Sequence, residues 1–193
     1  MKKQWITLPV CYMYKQKEKE SVTIDPAVMD EMIDQLRAGQ RSDQWHETGG
    51  ILGCDSDGNI VTFHFDALGS CKSSACSYWP DRRGLVQIAD QWNAEGIGFA
   101  GIIHTHSESN TMLSETDLIF TRELLKSNGL LEKLYMPVLA GHQLFVYAFE
   151  RDFLVWAEQT PLSPWQQPFR IIPPSVLEQI RQAIHKLEGE DAT

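Results

Sequence analysis

The sequence is short of several things, and each shortage removes a class of function. Basic residues are scarce, with 17 Lys and Arg against 26 Asp and Glu and a formal net charge of −9. Such a surface repels phosphate backbones, so nucleic acid is not expected as a partner. Long apolar runs are missing: no stretch reaches the roughly 20 residues of a membrane-spanning helix. Lys2 and Lys3 resemble the start of a secretory leader. Residues 4–14 are too short and mixed for its apolar core, however, and a charged run over 15–20 follows at once. The expected location is the cytoplasm. There are only four cysteines, Cys11, Cys54, Cys71 and Cys76, which in that compartment are expected as reduced thiols. Cys71 and Cys76 have no second pair at zinc-finger spacing, so they suggest no structural metal site. Internal repeats and long low-complexity tracts are lacking as well.

What is present reads as an ordinary globular chain. With 42% hydrophobic and 22% charged residues over 193 positions, it suits one domain with a substantial core and a short appendage. Residues 4–14 are apolar enough for a strand, with Pro9 marking an edge or bulge. Asp25-Pro26 opens a helix that Gly39 closes, and Val28, Met29, Met32, Ile33 and Leu36 recur at helical spacing. Residues 47–54 and 60–68 read as strands around a turn at Asp55, Asp57, Gly58 and Asn59. Residues 69–83 read as a loop. A helix follows with Leu85, Ile88, Ala89 and Trp92 on one face. Residues 97–104 form a nearly continuous apolar run, the mark of a buried strand. After a polar loop at 107–113, a helix starts beyond Ser114 and ends near Asn128-Gly129. Strands at 134–140 and 143–150 close the domain, with 151–156 read as an extension of the second. Five prolines (Pro161, Pro164, Pro168, Pro173 and Pro174) make residues 159–174 an extended strap. Ser175, with Glu178 three residues on, opens a last helix. The mixture lacks strict strand–helix alternation, so the expected fold is α+β: a mixed, mostly antiparallel sheet flanked by helices, with a C-terminal strap and helix. The expected domain covers 1–158, and the strap and helix, 159–193, pack on it.

The segment that carries chemistry is His104-Thr105-His106, followed by seven residues and then Ser114-Glu115-Thr116-Asp117. On a strand, residues two apart share a face and lie roughly 6.5 Å apart, so His104 and His106 can converge on one ion. A catalytic zinc takes three protein ligands and leaves a fourth position open. Asp117, in the first turn of the next helix, is the candidate third ligand. It also stands three residues after Ser114, where it fits a variant of the helix capping box, and taken alone that cap is the better reading. The two roles can coexist because a carboxylate has two oxygens. His46, His64, His142 and His185 read as non-ligands, and Glu108 and Glu115 as solvated. Asn110 and Thr111 read as loop residues.

The arrangement His-x-His, seven residues, Ser-x-x-Asp resembles the signature of the JAMM (MPN-type, JAB-domain) metalloproteases. The upstream stretch Glu47-Thr48-Gly49-Gly50-Ile51-Leu52-Gly53 resembles the family's distant glutamate beside glycines and an apolar strand. Many members place proline directly after the second histidine; here that position is Ser107. The likeness runs from about 47 to 149 and most resembles short prokaryotic members. It implies an MPN (JAB)-like domain with one Zn2+ per chain held by His104, His106 and Asp117. It further implies that Glu47 is the general acid–base and that Ser114 donates to the oxyanion.

The resemblance also implies the reaction: hydrolysis of an amide or isopeptide bond after the C-terminal tail of a ubiquitin-like protein, beside the enzymes of that conjugation pathway. Tyr78, Trp79 and Arg82, in the loop at 69–83, are candidate substrate contacts. A peptidase of the phage tail-assembly type is an alternative. So is a RadC-like or metal-free MPN protein that binds without hydrolysis. Metal-free members lack the ligands, and RadC-like proteins put proline and glycine in the loop after His-x-His, where this chain has neither.

Overall fold

The structure, a computed structural model, describes residues 4–15, 17, 20–40, 45–75 and 77–159. The expected strap and last helix at 159–193 therefore fall outside the described residues, except for Gln159 at the end of a helix. In chain order the elements are β1 (Ile6–Cys11), β2 (Ser21–Ile24), α1 (Pro26–Gly39), β3 (Gly49–Cys54), β4 (Ile60–Phe65), α2 (Ala67–Lys72) and α3 (Arg82–Ala94). They continue with β5 (Gly98–His106), α4 (Glu115–Ser127), β6 (Lys133–Ala140), β7 (Gln143–Glu150) and α5 (Asp152–Gln159).

The expected α+β architecture, an MPN (JAB)-like sheet flanked by helices, is corrected. The strands close into a barrel in the order β1-β2-β4-β3-β5-β6-β7. Three of the seven pairings are parallel: β1 with β7, β2 with β4, and β5 with β6. Closure depends on two short seams. Ile24 meets Ile60 at one, and Val10 and Cys11 meet Val146 and Tyr147 at the other. Side-chain alternation reveals that a segment is a strand and which residues share a face. It carries no information about which distant strand is the neighbour, so closure was not readable. Beside the second seam the side chains add a tie. The Tyr12 hydroxyl lies between the carboxylates of Glu20 and Glu150, at 2.8 and 3.0 Å, and the Lys15 and Lys17 ammonium groups also reach Glu150.

Two further expectations change. Residues 69–83 are not all loop, because Asp66 caps α2: its carboxylate accepts from the Gly69 N–H at 2.8 Å. Residues beyond 151 do not extend β7 but turn into α5, whose Phe153 is fully buried. The helices read from capping signals hold. The Asp25 carboxylate accepts from the Ala27 N–H at 2.9 Å with Pro26 in the first turn of α1.

The middle of β5, Ala100–Ile103, is apolar and buried because both of its faces are covered. Ile102 belongs to the apolar cluster that gathers Leu85 of α3, Leu118 and Leu125 of α4 and Phe153 of α5. Ile103 belongs to the other cluster, with Val28, Met29, Met32 and Leu36 of α1. Adjacent β3 divides in the same way, Ile51 to the first and Leu52 to the second. By strand alternation His104 and His106 share the face of Ile102, and Thr105 shares that of Ile103.

The pairing of β3 with β5 places the site. It is antiparallel, with Gly49 opposite His104 and Gly50 opposite Ile103. Carried two residues past Gly49, that register sets Glu47 beside His106. Buried hydrogen bonds fix it on the Thr105 side. The Thr105 N–H donates to the Thr48 carbonyl at 2.8 Å, and the Thr48 N–H donates to Thr105 Oγ1 at 2.9 Å. The Thr48 hydroxyl donates onward to the Leu36 carbonyl at 2.9 Å, tying the strand to α1. Thr105→Val keeps the shape but leaves the buried Thr48 N–H without its acceptor, which costs about 2 kcal/mol in urea unfolding. Thr105→Ser is expected to recover most of that loss; equal stability of the valine variant and wild type would show that the bond does not hold the register.

Candidate metal centre

His104 and His106 arrive as the last turn of a strand that pairs on both sides. His104 faces Gly49 of β3 and Val138 of β6, and His106 faces Ala140. Both are almost fully buried. Their Nε2 atoms lie 2.9 Å apart, within hydrogen-bond reach of each other. Glu47, Thr48 and Thr105 are buried with them. Among the described residues, Glu47, His104 and His106 form a cluster whose donor atoms could hold a metal ion.

Asp117 completes the set from α4. Its position comes from the helix cap. The Ser114 N–H and hydroxyl both donate to Asp117 Oδ2, at 2.7 and 2.6 Å, and the Asp117 N–H returns a bond to Ser114 Oγ at 3.2 Å. That reciprocal box spends Oδ2. The other oxygen, Oδ1, is left facing His104 Nε2 at 3.3 Å, while Oδ2 lies 3.6 Å from His106 Nε2. The cap thus uses Oδ2 and leaves Oδ1 facing His104.

The distances test the fit of an ion. Donors bound at about 2.0–2.1 Å to a tetrahedral zinc stand roughly 3.3 Å from one another. The His104–Asp117 spacing of 3.3 Å matches, and the His106–Asp117 spacing of 3.6 Å is close. The two histidine nitrogens are tighter, and Glu47 Oε1 is farther from His106 Nε2, at 3.9 Å. Two imidazoles and one carboxylate suit zinc, with Glu47 standing just outside that set. His106 Nδ1 is buried with no hydrogen-bond partner among the described residues, so the polar contacts of that ring are made through Nε2.

The electrostatics of the two carboxyls differ in sign. Burial pushes Glu47 up, to about 7; the neighbouring Asp117 adds to the rise, and His106 and a bond from the Tyr78 N–H oppose it. Burial also pushes Asp117 up, but His104, His106 and Ser114 outweigh it and hold the carboxyl well below the usual range. One carboxyl is thus held in its charged form by the groups around it, while burial raises its neighbour to about 7.

The other candidates separate. Tyr78 is buried, its ring nearly parallel to that of His104 at an interplanar angle of 10° and 6.1 Å between centroids. Trp79 is exposed at 39% on the same segment. The Arg82 guanidinium lies over the Phe120 ring at 5.5 Å, bridging α3 to α4. The loop that carries Ser107 instead of proline turns on a bond from the Asn110 N–H to the Ser107 carbonyl. It is pinned by the Tyr147 hydroxyl, which donates to the Thr111 carbonyl at 2.9 Å. Sequence reading missed Asp66, which is buried and accepts from the Tyr78 hydroxyl as well as from the Gly69 and Asp81 N–H groups. Its signal was an aspartate three residues before a glycine at the end of a strand, the spacing of a helix N-cap.

Among the described residues no helix is long and apolar enough to cross a membrane. No curated protein matches the chain. A solution structure of a protein from Salinibacter ruber is similar at 16% identity, covering 67% of this chain and 82% of that one with a TM-score of 0.39. The family model described as prokaryotic homologs of the JAB domain matches residues 29–156, a span that holds Glu47, both histidines, Ser114 and Asp117. The chain belongs to the prokaryotic JAB-domain family.

Proposed function

We propose that the chain is a zinc-dependent peptidase or isopeptidase that hydrolyses the bond after the C-terminal tail of a ubiquitin-like protein. The observation that carries the hydrolytic part is the convergence of His104, His106 and Asp117 with a proton-exchanging Glu47 beside them. The substrate class is drawn from the likeness to the JAMM metalloproteases. Its setting would be the cytoplasm, beside the enzymes of the matching conjugation pathway.

In this reading His104, His106 and Asp117 would hold one zinc. When bound, zinc lowers the pKa of a coordinated water to roughly 7 and polarises the scissile carbonyl. Glu47, its pKa near 7, accepts a proton from the attacking water and passes it to the leaving amine. Ser114 supplies a hydroxyl donor for the oxyanion. At rest that hydroxyl points to Asp117, so it rotates about its side-chain bond when the oxyanion forms. A single such donor is worth about 3 kcal/mol in the transition state. Exposed Trp79 and Arg82, close to Tyr78 in the chain, are the proposed contacts for a substrate tail.

Protein purified without chelator is expected to carry about one zinc per chain, retained in Glu47→Gln and lost in His104→Ala and Asp117→Ala. Metal analysis checks this, and metal-free wild-type protein would sink the enzyme reading. Against a panel of ubiquitin-like proteins fused at their C-termini, cleavage should be chelator-sensitive and fall roughly 10²–10⁴-fold in Glu47→Gln. Undiminished turnover in that variant would remove Glu47 from the proton path.

The raised pKa of Glu47 carries a stability cost with a definite sign. Folded Glu47 holds its proton more tightly than the unfolded chain, where the value is 4.5, so its contribution favours folding fully below that value and is lost as pH rises through 7. In chelator-treated protein at about pH 8, Glu47→Gln is therefore expected to be more stable than wild type by about 3 kcal/mol, the difference closing by about pH 4. Denaturant titrations at the two pH values measure it. A difference that does not change with pH would contradict the assigned shift.

A further inference from the structure

We propose that Tyr78 is a positioning residue of the metal centre, holding His104 in its ligand orientation with its ring. The proposal rests on the reading of His104, His106 and Asp117 as a zinc site. It goes beyond that reading by making a residue outside the His-x-His segment part of the site.

Two contacts converge on this residue. Its ring lies beside the buried His104 imidazole and nearly parallel to it, with 6.1 Å between centroids. Its hydroxyl donates to Asp66 Oδ2 at 2.7 Å, a bond buried on both sides. The ring is therefore fixed at its far end by Asp66. A residue that only filled volume would not need that bond.

The surroundings are built to receive it. Gly49 is the cross-strand neighbour of His104, and a side chain there would stand 2.5 Å from two atoms of the Tyr78 ring. The missing Cβ is the slot in which the ring lies. Asp66 is itself locked to that glycine, since its N–H donates to the Gly49 carbonyl at 2.9 Å. Its carboxylate also accepts from the Gly69 and Asp81 N–H groups. Lower on the same segment, the Ser74 carbonyl accepts from the Glu47 N–H at 2.9 Å. Ser74 thus holds the Glu47 backbone while Tyr78, four residues on, sets its ring beside His104. Such outer contacts keep a ligand ring aligned, and their loss typically weakens metal binding without removing any donor.

The test compares Tyr78→Phe, which keeps the flat ring, with Tyr78→Met, which fills the space without one. Zinc affinity is read by competition with a chelator, on protein shown to be folded by circular dichroism. Tyr78→Met is expected to bind zinc 10–100-fold more weakly, and Tyr78→Phe to stay within about threefold of wild type. Wild-type affinity in Tyr78→Met, or an equal loss in both variants, would overturn the proposal. If Tyr78→Met does not fold, hydrogen exchange of the Tyr78 amide in wild-type protein decides. Coupling is reciprocal, so a residue that favours the zinc-binding geometry must be tightened by zinc. Slower exchange with zinc supports the role, and unchanged exchange overturns it. Wild-type protein that binds no zinc would instead sink the underlying metal-site reading, and this proposal with it.

Discussion

The register of β3 against β5 is the constraint on which the site depends. Gly49 opposite His104 is one pairing in a run, yet it brings Glu47, more than 50 positions earlier in the chain, beside His106. A slip by one residue would turn every side chain of β3 to the other face. Glu47 would then leave the metal side and Thr48 would enter it. The two threonines oppose that slip, because their bonds form only in this register and lie where water cannot replace them. The chain thus devotes the residues between its functional groups, Thr48 and Thr105, to alignment. The groups on either side, Glu47 with Gly49 and His104 with His106, face the chemistry.

A second economy lies at the start of α4. The helix needs an N-terminal cap, and the candidate site needs a carboxylate at a set distance from two imidazoles. Asp117 meets both needs because its two oxygens point to different neighbours. The cap makes that carboxylate rigid before any ion arrives, which lowers the ordering cost of binding. Glu47 is the opposite case. Its burial is unfavourable to the charged form, and the fold tolerates it because a carboxyl that exchanges protons near neutrality is what the proposed reaction requires.

Legibility in the sequence followed the range of the interactions. The histidine pair, Ser114 and Asp117 were readable because strand alternation and helix capping act over a few residues. Glu47 was placed by its resemblance to a family pattern, and the register gives the physical reason for its place. The faces of β5 were partly readable: an uninterrupted apolar run signals cover on both sides, though not which helices provide it. Closure of the barrel was not readable, since it depends on seams between residues such as Ile24 and Ile60 that carry no mark of their partnership. Tyr78 was picked out as a substrate contact, whereas the structure lays its ring against His104. That relation runs through Gly49, whose lack of a side chain indicates a close neighbour without identifying it.

The zinc site proposed for this chain has two histidines and one aspartate as ligands and no thiolate. X-ray absorption at the zinc edge of the loaded protein tests that ligand set. Only nitrogen and oxygen neighbours at about 2.0–2.1 Å are expected. Outer scattering from two imidazole rings is expected as well, and both features should vanish in a His104→Ala, His106→Ala variant. A sulfur neighbour at about 2.3 Å, or a spectrum unchanged in that variant, would place the metal elsewhere and contradict this ligand set.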